Sequence, residues 1–436
     1  MFIKRIIKEI WKEHYRAVDE LMKKYQHMNE DILCELAIEE CDKLEITFFE
    51  QDNFVQNIIP SIGCTKCFKQ YPCSFCNFHL EEVKFSALMR VLREKNTDMY
   101  VKILLYNFRK TRGGMKIKPK NVELFAVRDF FNEFEFPPEA FDAFLSEDGV
   151  FTSKPYYGSV FTGPGSINKE KIRKIKSAFR KNVTISIGIE VGNEWIRKYW
   201  LNKITTNSSI EKSISDINEE KATIGSTIIL GMPGLSDRQS IELMLQTISW
   251  LNPTPIKYIQ MGYLVKKKKT LQAFLFDELR NDMDLIKIGV VKGPRTGLMD
   301  IIVLFDSIMK IYENNESISK RIIFSPQNFT DNAKLYRNKD LYGPLTRIES
   351  ELLDYVVEIT GLGVKGVSKY KPIYEKVKET LEYKNSMAKL AQQHGLEDIE
   401  NTMRVVGNKL SDKLFTGEER ESVLEELEAD LATINY

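Results

Sequence analysis

From about residue 53 to residue 312 the chain repeats one pattern, a short apolar run followed by an amphipathic stretch. The apolar runs fall at 54–62, 100–106, 159–161, 183–189, 223–230, 256–264 and 285–291. Helical spacing of apolar residues fills 80–95, 169–180, 210–220, 237–251 and 296–312. Strands that alternate with helices pair in parallel, because a parallel neighbour is reached only by a crossover long enough to hold a helix. Six or seven such units place the chain in the α/β class. They suit a full or partial parallel (β/α) barrel better than a sandwich. Ser236 and Gln239 have the spacing of a capping box, which starts a helix directly after the turn at 230–234.

Both flanks read as helical extensions. Ile3, Ile6, Ile7, Ile10, Val18, Leu21, Met22 and Tyr25 recur at three and four, and a second helix is expected over 31–44. This gives an N-terminal helical segment 1–52, a core 53–335 and a C-terminal helical region 336–436. Inside the core, 109–154 is long for a connection and reads as a lid or as a small packed subdomain. With 63 basic and 62 acidic side chains the net charge is +1, so no polybasic signature calls for nucleic acid. No run approaches the ~20 apolar residues of a membrane span. The charged N-terminus does not read as a signal peptide. A cytoplasmic protein without a membrane partner is expected.

Four of the six cysteines stand between positions 64 and 76, and clustered thiols suggest a metal site. The segment Cys64-Thr65-Lys66-Cys67, then Cys73-Ser74-Phe75-Cys76, directly follows the first core strand. In a parallel barrel that is the C-terminal mouth, where active sites form. Zinc ribbons separate their two pairs by ~15–20 residues; here Cys67 and Cys73 are separated by five. A catalytic cluster with one open iron needs three thiolates. Cys67, Cys73 and Cys76 form one possible trio and Cys64, Cys73 and Cys76 the other. Cys34 and Cys41, seven apart on one helix face, read as small buried hydrophobes.

The ending Cys73-Ser74-Phe75-Cys76 resembles the cluster loop of the radical S-adenosylmethionine (radical SAM) superfamily. The first interval is longer than the usual one there. That resembles the branch holding the elongator catalytic subunit and the archaeosine-forming tRNA enzymes, and Gly63-Cys64 favours Cys64 as first ligand. The resemblance spans about 53–271. It implies a [4Fe-4S] cluster on three of Cys64, Cys67, Cys73 and Cys76, with Phe75 beside the cofactor. The stretch 185–203 resembles the fourth-strand motif. That makes Glu190 and Lys203 the candidates to meet SAM, with Arg197 behind them. Gly231, in Gly231-Met232-Pro233-Gly234, resembles the fifth-strand turn near adenine. The usual Gly-Gly-Glu after the second strand is missing, and Asn107 stands where it would be. Thr162-Gly163-Pro164-Gly165-Ser166 joins the same mouth. The lysines at 266–269 read as a solvated turn.

What the resemblance implies is reductive cleavage of SAM to a 5′-deoxyadenosyl radical, fed by a reductant such as flavodoxin or ferredoxin. The near-neutral charge and the lack of an RNA-binding appendage favour a small-molecule or peptide substrate over tRNA. A radical SAM tRNA-modifying enzyme is the alternative within the superfamily, together with a degenerate member that cleaves no SAM. A zinc-stabilised binding module on four thiolates is the alternative outside it. His79 reads as a cap for the helix near Leu80, and His14, His27 and His394 carry no assigned role.

Overall fold

The computed structural model describes residues 1–43, 49–51, 54–59, 62, 64–66, 71–77, 83–113, 121–126, 129–145, 157–264, 266–291, 298–314, 320–324, 333–362 and 364–434. One sheet of eight strands runs in sequence order: β1 (Phe49–Gln51), β2 (Phe54–Ile59), β3 (Asn121–Ala126), β4 (Tyr157–Thr162), β5 (Asn182–Glu190), β6 (Thr223–Leu230), β7 (Tyr258–Tyr263) and β8 (Ile322–Phe324). β1 is antiparallel to β2, and β2 through β8 are parallel. A doubly wound sheet reverses its strand order; an unbroken order keeps every right-handed crossover on one side. This is the expected α/β fold, a parallel strand series with helical extensions. Among the described residues no ladder joins β8 back to β1.

The alternation within each strand decides which face the helices cover. Val183, Ile185, Ile187 and Ile189 of β5 and Ile224 and Ile228 of β6 are buried with Ile172, Ile210 and Ile217 of the crossover helices Lys169–Ser177 and Asn207–Glu219. Side chains at the intervening positions point to the opposite face. The helix Asp237–Leu251 starts with the expected capping box between Ser236 and Gln239.

Three expectations are corrected. The run 100–106 lies within the helix Thr97–Gly113, and the second parallel strand is β3. Asn96 accepts from Met99 N–H at the start of that helix, and Tyr100, Val101, Ile103 and Leu104 bury at helical spacing. The run 285–291 begins as the helix Met283–Lys287, capped by Asp282, and the last strand is β8. The segment 1–52, expected as a helical segment with its second helix over 31–44, also contributes β1.

The two ends of the chain meet. The helix Phe2–Gln26 packs on Ile399–Leu414 and Gly417–Leu431, with Phe2, Ile3, Ile6, Met403 and Leu427 in one apolar cluster that also holds Trp200. Phe2 N–H donates to Asp430 at 2.7 Å. In the inserted segment, Phe130, Phe136, Phe141 and Phe144 pack ring on ring and join the main apolar cluster with Tyr100 and Leu104. Among the described residues no helix is long and apolar enough to cross a membrane.

Candidate functional site

Three later connections, those after β3, β5 and β7, hold the cysteine segment in place. Ser74 N–H donates to Leu201 O at 3.1 Å, beyond β5, and Leu271 N–H donates to Ser74 O at 2.7 Å, beyond β7. Asn202, buried and with φ +54°, gives its amide to Tyr71 O (3.1 Å) and Pro72 O (2.9 Å). The left-handed conformation suits asparagine better than most residues. On the other side, Thr65 donates its backbone N–H (2.9 Å) and its hydroxyl (3.1 Å) to Glu135.

These anchors bring Cys64, Cys73 and Cys76 together. Cys76 N–H closes a turn on Cys73 O at 3.0 Å. Burial pushes the Cys73 thiol up to about 11; Lys66 and Lys203 pull it down, and Cys76 and Cys64 push it further up. Cys73 therefore lies within electrostatic reach of two other sulfurs and two ammonium groups. The Ser74 hydroxyl, fully buried between Cys73 and Cys76, has no protein partner. Cys67 and His79 lie outside the described residues.

Glu190 ends β5 past a break in register after Gly188, with φ +67°. This turns its carboxylate back over the sheet, where Lys203 Nζ meets Glu190 Oε1 at 2.7 Å and Gly188 O at 2.8 Å. Both side chains are only 13% exposed. A Cβ on Gly188 would lie 2.8 Å from Lys203 Nζ, so the absence of a side chain there makes room for the pair. A one-turn π-helix, Ile196–Trp200, links the two partners, and such turns are frequent at functional sites.

Arg197 is fully buried and committed elsewhere. It donates to the carbonyls of Val191, Gly192 and Thr205 and to Asn207 Oδ1. Burial lowers its guanidinium to about 10, against the pull of Glu194 and Glu190. Its geometry is that of a staple for the loop after β5.

Gly231 follows β6 with φ +91°, and a Cβ there would meet Leu264 Cβ at 3.0 Å, so both backbone and space require glycine. It lines a small cleft with Asp237, Ser240, Tyr263 and Gln272. Phe75 packs against the cluster that holds Trp200. Asn107 lies in the helix Thr97–Gly113 instead of following a strand, and its side chain is outside the described ones. Of the lysine run, Lys266 pairs with Asp277 and Lys269 donates to Ile10 O. Cys41 is buried and Cys34 Sγ contacts Met99 Sδ, as expected of small hydrophobes. His394 belongs to a brace, with its carbonyl accepting from Ser236 and its ring touching Thr402.

Sequence reasoning missed the carboxylates at the end of β3. Asp129 accepts hydroxyls from Thr162 and Ser166, the two ends of the expected Thr-Gly-Pro-Gly-Ser turn. Its carboxyl is pushed above the usual range by burial, which those hydroxyls and the backbone of Gly163 and Phe131 only partly offset. Glu135 bridges the system, with Oε2 accepting from Asp129 N–H and Oε1 from Thr65. Nothing local marks Asp129 or Glu135 in an aromatic-acidic run; the Thr162 and Ser166 turn was the available signal.

Below the Glu190–Lys203 pair, the sheet face away from the helices mixes polar and apolar side chains, with Phe161 beside Ser186 and Ile229 beside Gly262. Ser159 stands beside Thr184, Ser186 beside Gly225, and Gly188 beside Thr227, which in turn neighbours Gln260. None of Ser159, Thr184, Ser186, Thr227 and Gln260 hydrogen-bonds a protein group through its side chain.

Among the described residues no three His, Cys, Asp or Glu side chains already close on a metal-sized space. The donor chemistry still fits an iron–sulfur cluster. Three half-buried thiols lie within electrostatic reach of one another, two lysines offset thiolate charge, and an unpartnered Ser74 hydroxyl sits between two of the cysteines.

No family model matches the chain, and no curated protein matches it. Among solved structures, it is similar to the queuine lyase from Clostridium spiroforme bound to SAM and queuine, at 16% identity and a TM-score of 0.35. That match covers 55% of this chain and 91% of that one. It is also similar to the radical S-adenosylmethionine methyltransferase TsrM from Kitasatospora setae, with cobalamin and a [4Fe-4S] cluster bound, at 11% identity and a TM-score of 0.31. There the match covers 48% of this chain and 36% of that one.

Proposed function

We propose that the chain is a radical SAM enzyme whose [4Fe-4S] cluster is held by Cys64, Cys73 and Cys76, with Cys67 as the alternative first ligand. The observation that carries the reading is the surrounding of Cys73, half-buried and within electrostatic reach of two further thiols and two lysines beyond the parallel strands. The motif resemblance of Cys73-Ser74-Phe75-Cys76 and of the segment around Glu190 supports it. When bound, such a cluster supplies the electron that splits SAM into methionine and a 5′-deoxyadenosyl radical.

The chain's own residues bind and orient. Lys203, fixed by Glu190 and Gly188 O, offers a cation to the SAM carboxylate. Glu190 Oε2, which takes no protein donor, is available to a donor of SAM. Gly231 lets the backbone approach the adenine closely, while Phe75 packs on the apolar cluster that holds Trp200 and its place beside the cofactor rests on the resemblance. Asn107 rests on the resemblance alone. The substrate is a small molecule or peptide, and a flavodoxin or ferredoxin supplies the electron.

Anaerobic reconstitution with iron and sulfide tests this. Iron and acid-labile sulfide should be retained, and dithionite with SAM should yield 5′-deoxyadenosine. Cys73→Ala and Cys76→Ala should each lose both. Stoichiometric zinc in a colourless protein, or iron untouched in the Cys73 variant, sinks the reading.

A further inference from the structure

We infer that the Ser74 hydroxyl donates a hydrogen bond to sulfur of the bound cluster and so makes the cluster easier to reduce. The inference rests on the reading above and adds to it a residue that sets the potential without being a ligand.

Ser74 is fully buried, and its Oγ has no hydrogen-bond partner in the protein. Buried hydroxyls are normally satisfied, and an exception calls for a partner that the protein itself does not supply. The acceptors nearest in sequence are engaged. Tyr71 O and Pro72 O take the Asn202 amide, and Cys73 O takes the Cys76 N–H. What flanks the hydroxyl along the chain is sulfur, with Cys73 immediately before it and Cys76 two residues after. Its backbone is clamped from two sides, the N–H on Leu201 O at 3.1 Å and the carbonyl under Leu271 N–H at 2.7 Å. A residue held at both peptide groups keeps its hydroxyl in the same buried place. Ser226 of β6 and Ser411 of the helix Ile399–Leu414 are also buried without a partner, but neither stands between cysteines. The position between two candidate ligands, not the missing bond alone, singles out Ser74.

The chemistry gives the effect its sign. A serine hydroxyl carries one donor hydrogen, and hydrogen bonds to the sulfurs are among the levers that set a cluster's potential. Thiolate and sulfide gain negative charge when the cluster takes an electron. A donor facing them therefore stabilises the reduced cluster more than the oxidised one and raises the potential. Backbone amides could do the same, but those of Thr65, Ser74 and Cys76 are committed to oxygen: to Glu135, to Leu201 O and to Cys73 O. The Ser74 hydroxyl is the donor that the loop holds in reserve for sulfur.

The test uses the full chain, reconstituted anaerobically with iron and sulfide and titrated with dithionite and mediators under electron paramagnetic resonance. Removing the hydroxyl should disfavour the reduced cluster about tenfold against the oxidised one. For a one-electron couple that is a fall of ~59 mV in midpoint potential. Ser74→Ala should show this fall with iron and sulfide content unchanged. Ser74→Thr, which keeps a hydroxyl, should return toward the parental potential. Ser226→Ala, which removes an equally buried hydroxyl from β6, should leave the potential where it was. Electron–nuclear double resonance in water and in heavy water gives a second readout. The reduced parent should show a coupled exchangeable proton that Ser74→Ala lacks. A parental potential in Ser74→Ala, or an equal fall in Ser226→Ala, would overturn the inference. So would the absence of that proton from the reduced parent, a result that counts even if Ser74→Ala does not hold its cluster. Iron content separates the two claims: a parent that retains no iron sinks the cluster reading and this assignment together, whereas a parent with a cluster indifferent to Ser74 sinks this assignment alone.

Discussion

Thr65 gives its backbone N–H and its hydroxyl to the same oxygen of Glu135, across 70 residues of sequence and one position after Cys64. Glu135 is 1% exposed, and its other oxygen accepts from Asp129 N–H at 3.1 Å. One buried carboxylate therefore ties the first half of the cysteine loop to the end of β3. Glu135→Ala leaves two backbone donors without an acceptor, and the expected loss in denaturant unfolding is about 3 kcal/mol. Iron retained after reconstitution should fall with it. Glu135→Gln keeps an acceptor for Thr65 but turns an amide donor toward Asp129 N–H, so it should fall between the parent and alanine. An alanine variant with parental stability would remove Glu135 from this role.

The Glu190–Lys203 pair invites a double-mutant cycle. Lys203→Met leaves a mostly buried carboxylate facing Gly188 O, and Glu190→Gln leaves the ammonium with one carbonyl. Each single change should cost more than the double, with a coupling of about 1–2 kcal/mol, because an unpaired charge away from water is worse than none. Additive losses in urea unfolding would mean that solvent already screens the pair.

What the sequence disclosed depended on whether the relevant signal was local. β5 and β6 are short apolar runs set between helical stretches, and the helix after β6 opens with a capping box, so these elements could be placed from neighbouring residues. The run Tyr100 to Tyr106 could not, because a short apolar run serves a helix or a strand equally. Its helical outcome is set by packing, with Tyr100 giving its hydroxyl to Glu135 O at 2.7 Å. The cysteines and the Glu190–Lys203 pair were legible as residue types at known spacings. Their anchors, Glu135 and Asn202, were not, since their roles exist only in contacts made across 70 and about 130 positions of chain.

Asp129 gives the pH dependence a sign. Burial raises its folded carboxyl above the usual value, while the unfolded chain titrates near the ordinary 3.8. Between those two values the native state holds more protons than the unfolded one, so stability is greatest below the unfolded value and declines as pH rises through the folded one. This decline is Asp129's own contribution, set against carboxylates such as Asp216 and Glu426 that act with the opposite sign, and it is read as the difference between parent and variant in unfolding at a series of pH values from about 4 upward. In Asp129→Asn, which has no proton to lose, that part of the slope should vanish. An identical profile in parent and variant would show that the hydroxyls of Thr162 and Ser166 fully compensate the carboxylate.

Asn202 tests how far the cysteine loop depends on its clasp. Its two amide bonds reach the carbonyls of Tyr71 and Pro72, the residues immediately before Cys73, and its own carbonyl takes Lys66 Nζ at 3.4 Å. Asn202→Gly keeps a backbone able to adopt φ +54° and removes only the amide, so the conformational penalty that other replacements carry does not enter. Two lost hydrogen bonds predict a stability change of about 1–2 kcal/mol. The larger effect should be kinetic, because the loop is then held on this side mainly by Ser74 N–H on Leu201 O. Iron release to a chelator from the reconstituted protein should quicken about tenfold, while total iron bound at the outset stays near the parent's. If release is as slow as in the parent, the loop is secured without Asn202, and the left-handed turn at 202 serves only to route the chain from β5 to the next helix.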